Sequence, residues 1–192
     1  MTVGRRLEIL NRILLVALAL AVLNTGYLSW RFVALHAGWV APGTGICSWT
    51  ETVDCDKVLI TTEARAFYVP NALLGFGFFF GCLLWWTLGN RLGAVYRYHI
   101  ARTLVVWLVI ATLFTFRFFW LLVHLDAFCP LCPWNHLLTY IALVAAFLIW
   151  RATPRPTERV SIKPLVLLVG PCVSQFFLLN LIWVFARTRS LL

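Results

Sequence analysis

The stretch DAFCPLCPWNH, residues 126–136, sets two cysteines three apart, each followed by proline, between two long apolar runs. A bilayer core takes about 20 apolar residues as helix. The runs on either side, 103–124 and 133–150, are of that kind. The dithiol therefore sits at the mouth of a predicted membrane helix, a place where packing alone does not call for it.

Working outward, three further runs qualify as spans: 13–35, 69–88 and 164–186, the last carrying Pro171. The chain is 62% hydrophobic and only 12% charged, against roughly a quarter charged in soluble domains. The expected fold is an all-α membrane protein, a single domain over residues 1–192. It has about five transmembrane helices: a four-helix catalytic core plus a fifth span. The length leaves no room for a soluble catalytic domain. The N-terminal run is long enough to span and lacks a small-x-small cleavage site, so it reads as a retained helix rather than a removed leader.

The net charge of +9 does not point to nucleic acid. Ten cations, Arg5, Arg6, Arg12, Arg91, Arg97, Arg102, Arg151, Arg155, Arg159 and Lys163, fall in short segments at alternate ends of the spans. That pattern marks a cytoplasmic side facing anionic lipid. The other side receives the 36–68 loop with Glu51, Asp54, Asp56 and Glu63, and the short connection with Asp126. Arg31 near the end of the first span is expected to snorkel. The tail with Arg187 and Arg189 falls outside, against the trend.

This topology places four of the six cysteines outside. Cys47 and Cys55 lie in the long loop, and Cys129 and Cys132 at the outer end of the fourth helix. Cys82 and Cys172 fall near the inner ends of their spans and read as buried packing residues. At a helix start, sulfurs three residues apart share a face, and the unpaired N–H groups favour a thiolate. Pro133 suits the first turn, because its missing N–H costs nothing there. A lone C-x-x-C is also half of a zinc site. The eight-residue spacing of the other pair supplies no second half, so no metal is predicted. Asp54 is expected to cap a short helix over 55–65, with Val58, Leu59 and Ala66 on the membrane surface.

A mobile loop bearing one cysteine pair above a membrane-embedded second pair is the layout of a two-stage thiol relay. Electrons must then leave the embedded pair. With no haem-attachment C-x-x-C-H and no nucleotide loop, a lipid-soluble quinone, of ubiquinone or menaquinone type, is the economical acceptor. Candidate contacts are Asn71, at the start of the second span, and His136, one helical turn below Cys132. Arg117, about 13 Å deep by helical rise, is a further candidate; snorkelling or pairing with backbone carbonyls is the alternative.

The ordered set of motifs resembles the vitamin K epoxide reductase family. It comprises C-x7-C in a loop, a hydroxyl residue six beyond, PNALLG opening the next span and C-x-x-C opening a later one. By that resemblance Cys47 and Cys55 match the loop shuttle pair and Thr61 the loop serine or threonine. Asn71 matches a quinone-contacting asparagine. Cys129 and Cys132 match the active-site pair, with Cys132 facing quinone. Animal members place a tyrosine where His136 stands. The five-span layout is similar to bacterial homologues, which implies a bacterial cytoplasmic membrane with the N-terminus inside and the active site outside. Many of those carry a fused thioredoxin-like domain, and its absence here implies a separate extracytoplasmic thioredoxin-fold partner, DsbA-like. The implied activity is a quinone-linked thiol–disulfide oxidoreductase supporting disulfide formation. The alternatives are a quinone-epoxide reductase driven by thiol electrons, a DsbB-type oxidase whose motif order differs, and a non-catalytic scaffold with structural disulfides.

Overall fold

The computed structural model describes residues 3–66, 69–125 and 127–157, with isolated positions 161, 163, 166 and 169. The fifth span, with Pro171, Cys172 and the basic tail, lies almost wholly outside the described residues, as does Asp126. Four long helices form the bundle: α1 (Val3–His36), α3 (Asn71–Gly89), α4 (Ala94–His124) and α5 (Leu131–Ala152). Each is long and apolar enough to cross a membrane. A short helix, α2 (Cys55–Ile60), lies in the loop after α1. It is followed by a two-residue antiparallel pair, β1 (Arg65–Ala66) and β2 (Val69–Pro70). The molecule is an all-α membrane bundle.

Helix α1 packs on both α3 and α5, α4 packs closely on α5, and α3 meets α4 more sparsely. One half of the bundle is filled by Leu14, Leu18, Trp85, Trp86, Ile100, Leu104 and Leu108. Ala17 and Ala21 on α1, with Ala142, Ala145 and Ala146 on α5, are buried in the same cluster. Small residues let the backbones approach where no hydrophobic drive separates protein from lipid. Gly93, with φ +103°, makes the turn between α3 and α4, a conformation that disfavours any side chain.

Helix α1 begins ten residues before the apolar run predicted at 13. Its N-terminal turns carry helix-compatible charges, with Arg12 paired to Glu8 at 2.5 Å one turn away. Helix α2 ends at Ile60 rather than 65, because Thr61 is extended (φ −68°, ψ 159°) and its N–H closes the last turn on the Val58 carbonyl. Asp54 caps α2 as expected, accepting from the Asp56 N–H. Val58 and Leu59, expected on the membrane surface, are turned inward at 8% and 5% exposure, while Ile60 is exposed.

Candidate thiol redox site

A second apolar cluster sits at the opposite end of the bundle and contains Leu28, Phe32, Val58, Leu59 and Leu73 together with Cys47, Cys55 and Cys129. Cys47 and Cys55 form a disulfide with Cα atoms 5.6 Å apart. Cys129 and Cys132 are free thiols whose sulfurs lie 2.9 Å apart. Cys47, Cys55 and Cys129 are buried. Cys132 is half-buried and borders a cavity. The loop pair, the inner pair and the cavity wall thus form one contiguous set.

The loop is held onto the C-x-x-C by backbone. Val53 pairs in a parallel bridge with Phe128. The Phe128 N–H donates to the Thr52 carbonyl at 2.7 Å, and the Asp54 N–H to the Phe128 carbonyl at 3.1 Å. Phe128 precedes Cys129 and Asp54 precedes Cys55, so the two attachments sit beside the two sulfurs. The Ser48 hydroxyl donates to Asp54, tying the segment after Cys47 to the same cap.

A buried ion pair locks the other end of the loop. Arg31, expected to snorkel, instead turns into the protein and donates to both carboxylate oxygens of Asp56, at 2.8 and 2.6 Å. It also donates to the Ala41 carbonyl and the Thr44 hydroxyl. Asp56 accepts in addition from the Gly43 and Gly45 N–H groups, at 2.9 and 3.2 Å. A side chain at Gly45 would meet the Asp56 carboxylate at 2.9 Å, so only glycine fits that approach. Burial resists ionisation of Asp56, but the Arg31 hydrogen bond and charge and the two amides together hold its carboxyl below the usual range.

Cys129 lies just before α5, and Pro130 takes the cap position. A hydrogen bond from Cys132 Sγ pulls the Cys129 thiol below its ordinary value. Burial opposes this, and the Cys132 and Leu131 amides of the opening turn assist it. The helix start thus supplies thiolate stabilisation to the outer cysteine of the motif.

The cavity has a volume of about 490 Å³, within the ordinary range for small-molecule sites. All four long helices and α2 contribute to its wall, which is largely apolar, with Phe78, Phe79, Phe114 and Phe118 among the lining residues. Cys132, His136 and Asn71 all border it. His136 Nε2 and Asn71 Oδ1 are buried without a partner. The Asn71 amide nitrogen donates to the Glu63 carbonyl at 2.8 Å, so Asn71 presents chiefly its oxygen. Thr61 is not among the lining residues; its hydroxyl donates to the Val58 carbonyl, closing α2. The Arg117 side chain lies outside the described residues. Among the described residues no group of three or more His, Cys, Asp or Glu could hold a metal.

Two features escaped the reading of the sequence. The Arg31–Asp56 lock joins residues 25 apart, and the one available signal was a charge inside a span end followed by an acid-bearing loop. The second is a pair of asparagines, Asn24 on α1 and Asn135 on α5. Asn24 was visible only as a polar residue in a membrane segment.

The bundle with its four clustered cysteines is that of a multi-pass membrane oxidoreductase. The chain matches the Vitamin K epoxide reductase family over residues 12–184, and it belongs to that family. Neither the curated proteins nor the solved structures gave a match.

Proposed function

We propose that this protein is a quinone-linked thiol oxidase that reoxidises a thioredoxin-fold partner outside the cytoplasmic membrane of a bacterium. Its N-terminus lies inside and its four catalytic cysteines act from the outer side. The observation that carries this reading is the burial of Cys47, Cys55 and Cys129 in one cluster, with Cys132 on the edge of an apolar cavity.

The chemistry is two successive exchanges. A thiolate of the reduced partner attacks the Cys47–Cys55 disulfide, breaking that S–S bond and releasing a loop thiolate. The partner's second thiolate resolves the mixed disulfide, leaving the partner oxidised and the loop pair reduced. A loop thiolate then attacks a Cys129–Cys132 disulfide. Resolution by the other loop cysteine restores Cys47–Cys55 and leaves Cys129 and Cys132 as thiols.

The cavity fits a quinone ring: its walls are apolar, and it carries two orphaned buried polar atoms, His136 Nε2 and Asn71 Oδ1. Bound there, a quinone takes two electrons and two protons and so restores the inner disulfide. His136 holds a hydrogen-bond donor toward one ring oxygen. Asn71, with its oxygen free, suits the hydroxyl of the reduced ring. Thr61 has no contact in this scheme.

Anaerobic mixing of the dithiol-reduced purified protein with short-chain benzoquinone or naphthoquinone tests the reading. Quinone absorbance should fall in proportion to inner disulfide formed, and the Cys132→Ala variant should show only the background rate. Undiminished quinone reduction by Cys132→Ala contradicts the assignment.

A further inference from the structure

A quinone carbonyl accepts hydrogen bonds, so the site needs donors, and the cavity has few. Three threonines border it, Thr25, Thr115 and Thr139. Each spends its hydroxyl hydrogen on a carbonyl of its own helix: Thr25 on Ala21 at 2.6 Å, Thr115 on Ala111 at 3.2 Å and Thr139 on Asn135 at 2.9 Å. Asn71 commits one of its two amide N–H groups to the Glu63 carbonyl. The Cys132 thiol points its hydrogen at Cys129. His136 is one donor; a ring with two carbonyls calls for another.

Asn135 borders the same cavity, three residues after Cys132 and next to His136. Its orientation is set from another helix. Asn24 on α1 donates through Nδ2 to the Leu131 carbonyl at 2.9 Å, and the same nitrogen faces Asn135 Oδ1 at 3.5 Å. The second contact is at the limit of a hydrogen bond, and it favours the Asn135 oxygen over its nitrogen on that side. Turning the amide over would set two NH₂ groups against each other. With its oxygen turned to Asn24, Asn135 has its two N–H donors at the other end, and no acceptor within the described residues takes them up.

We infer that Asn135 is a hydrogen-bond donor to a quinone oxygen and that Asn24 is its positioning residue, acting through the Asn24–Leu131–Asn135 contact. The inference rests on the proposed quinone site and adds to it a donor that the family motifs do not assign. It also accounts for a polar side chain in mid-span on α1, a location that is costly without a purpose.

The test is a two-residue cycle in the full-length protein: Asn135→Leu, Asn24→Leu and the double variant, with Asn135→Ala as a second truncation should the leucine disturb packing. Two readouts are taken with short-chain naphthoquinone and benzoquinone as probes. One is equilibrium binding to the dithiol-reduced protein, followed by quenching of tryptophan fluorescence. The other is KM separated from kcat in turnover. Loss of one buried donor weakens binding about tenfold. Asn135→Leu and Asn135→Ala should therefore raise both Kd and KM by about that factor, and Asn24→Leu by a smaller one. If Asn24 acts through Asn135, the double variant should bind no more weakly than Asn135→Leu alone. Unchanged affinity in both Asn135 variants overturns the donor assignment. Additive losses, or an unaffected Asn24→Leu, overturn the positioning role. A wild-type protein that neither binds nor reduces quinone brings down the quinone site itself, and this inference with it.

Discussion

The two cysteine pairs reach comparable burial by opposite routes. Cys129 and Cys132 owe their arrangement to local structure: a proline-flanked helix start that sets two sulfurs on one face. Cys47 and Cys55 lie in a loop with little regular structure, so their position is imposed from outside. The Arg31–Asp56 ion pair holds the segment before Cys47, and the bridge from Val53 to Phe128 holds the segment before Cys55. A pair fixed by its own helix is suited to stay at the cavity. A pair fixed by detachable contacts is suited to meet a partner and return. The disulfide is buried in the resting arrangement, so access by a partner thiol requires the loop to open.

The largest expected effect follows from that division. Cys47→Ala should abolish turnover with a thioredoxin-fold reductant, at least a hundredfold on the scale of a lost catalytic group. It should leave turnover with a small dithiol that reaches Cys129 directly. Equal losses with both reductants, measured as quinone consumed per enzyme, would merge the two pairs into one function.

His136→Phe should act on the inner pair only. Removing one positioned donor costs on the order of 10² to 10³ in rate, seen in quinone turnover, while thiol exchange between the pairs continues. His136→Tyr should recover much of the loss, since a phenol can also donate. Full turnover by His136→Phe at saturating reductant shifts the donor role to Asn135.

The smallest catalytic effect, and a distinct effect on stability, belongs to Asp56→Asn. It leaves the Arg31 guanidinium buried without its counter-charge, a change that costs about 3 kcal/mol in comparable pairs. Protease cleavage between Gly38 and Glu51 should accelerate. The pH dependence has a definite sign. The Asp56 carboxyl is held below its unfolded value, so its contribution is complete above about pH 4 and fades as pH falls through the lower folded value. Loop protection in the wild type should therefore persist at pH 5 and weaken only in stronger acid, whereas Asp56→Asn should lack that acid step.

The spans were legible in the sequence because lipid leaves few options: a run such as 133–150 can satisfy its backbone only as helix. Cys129, Cys132 and His136 were legible for a related reason, since helical spacing alone puts them near one another. Arg31 was not. An arginine near a span end reads as snorkelling unless its partner is known, and Asp56 is 25 residues away across a loop whose path no local rule predicts. Thr61 shows what a motif position leaves open: resemblance matches its hydroxyl to the family's loop residue, while in the structure that hydroxyl bonds the Val58 carbonyl at the helix end. Asn135 went unnoticed because its orientation depends on Asn24, more than a hundred residues earlier.

Direct transfer between the pairs is the central claim, and a trapped intermediate tests it most directly. In Cys132→Ala combined with Cys47→Ala or with Cys55→Ala, neither Cys132 nor a second loop cysteine remains to resolve a bond between Cys129 and the loop cysteine that is left, so that bond, formed under mild oxidation, should persist. The purified double variants, alkylated, digested without reduction and analysed by mass spectrometry, should yield in at least one of them a peptide joining Cys129 to Cys47 or Cys55. Alkylated Cys129 and no such joined peptide in either double variant, under conditions in which the wild type turns over, would contradict the relay.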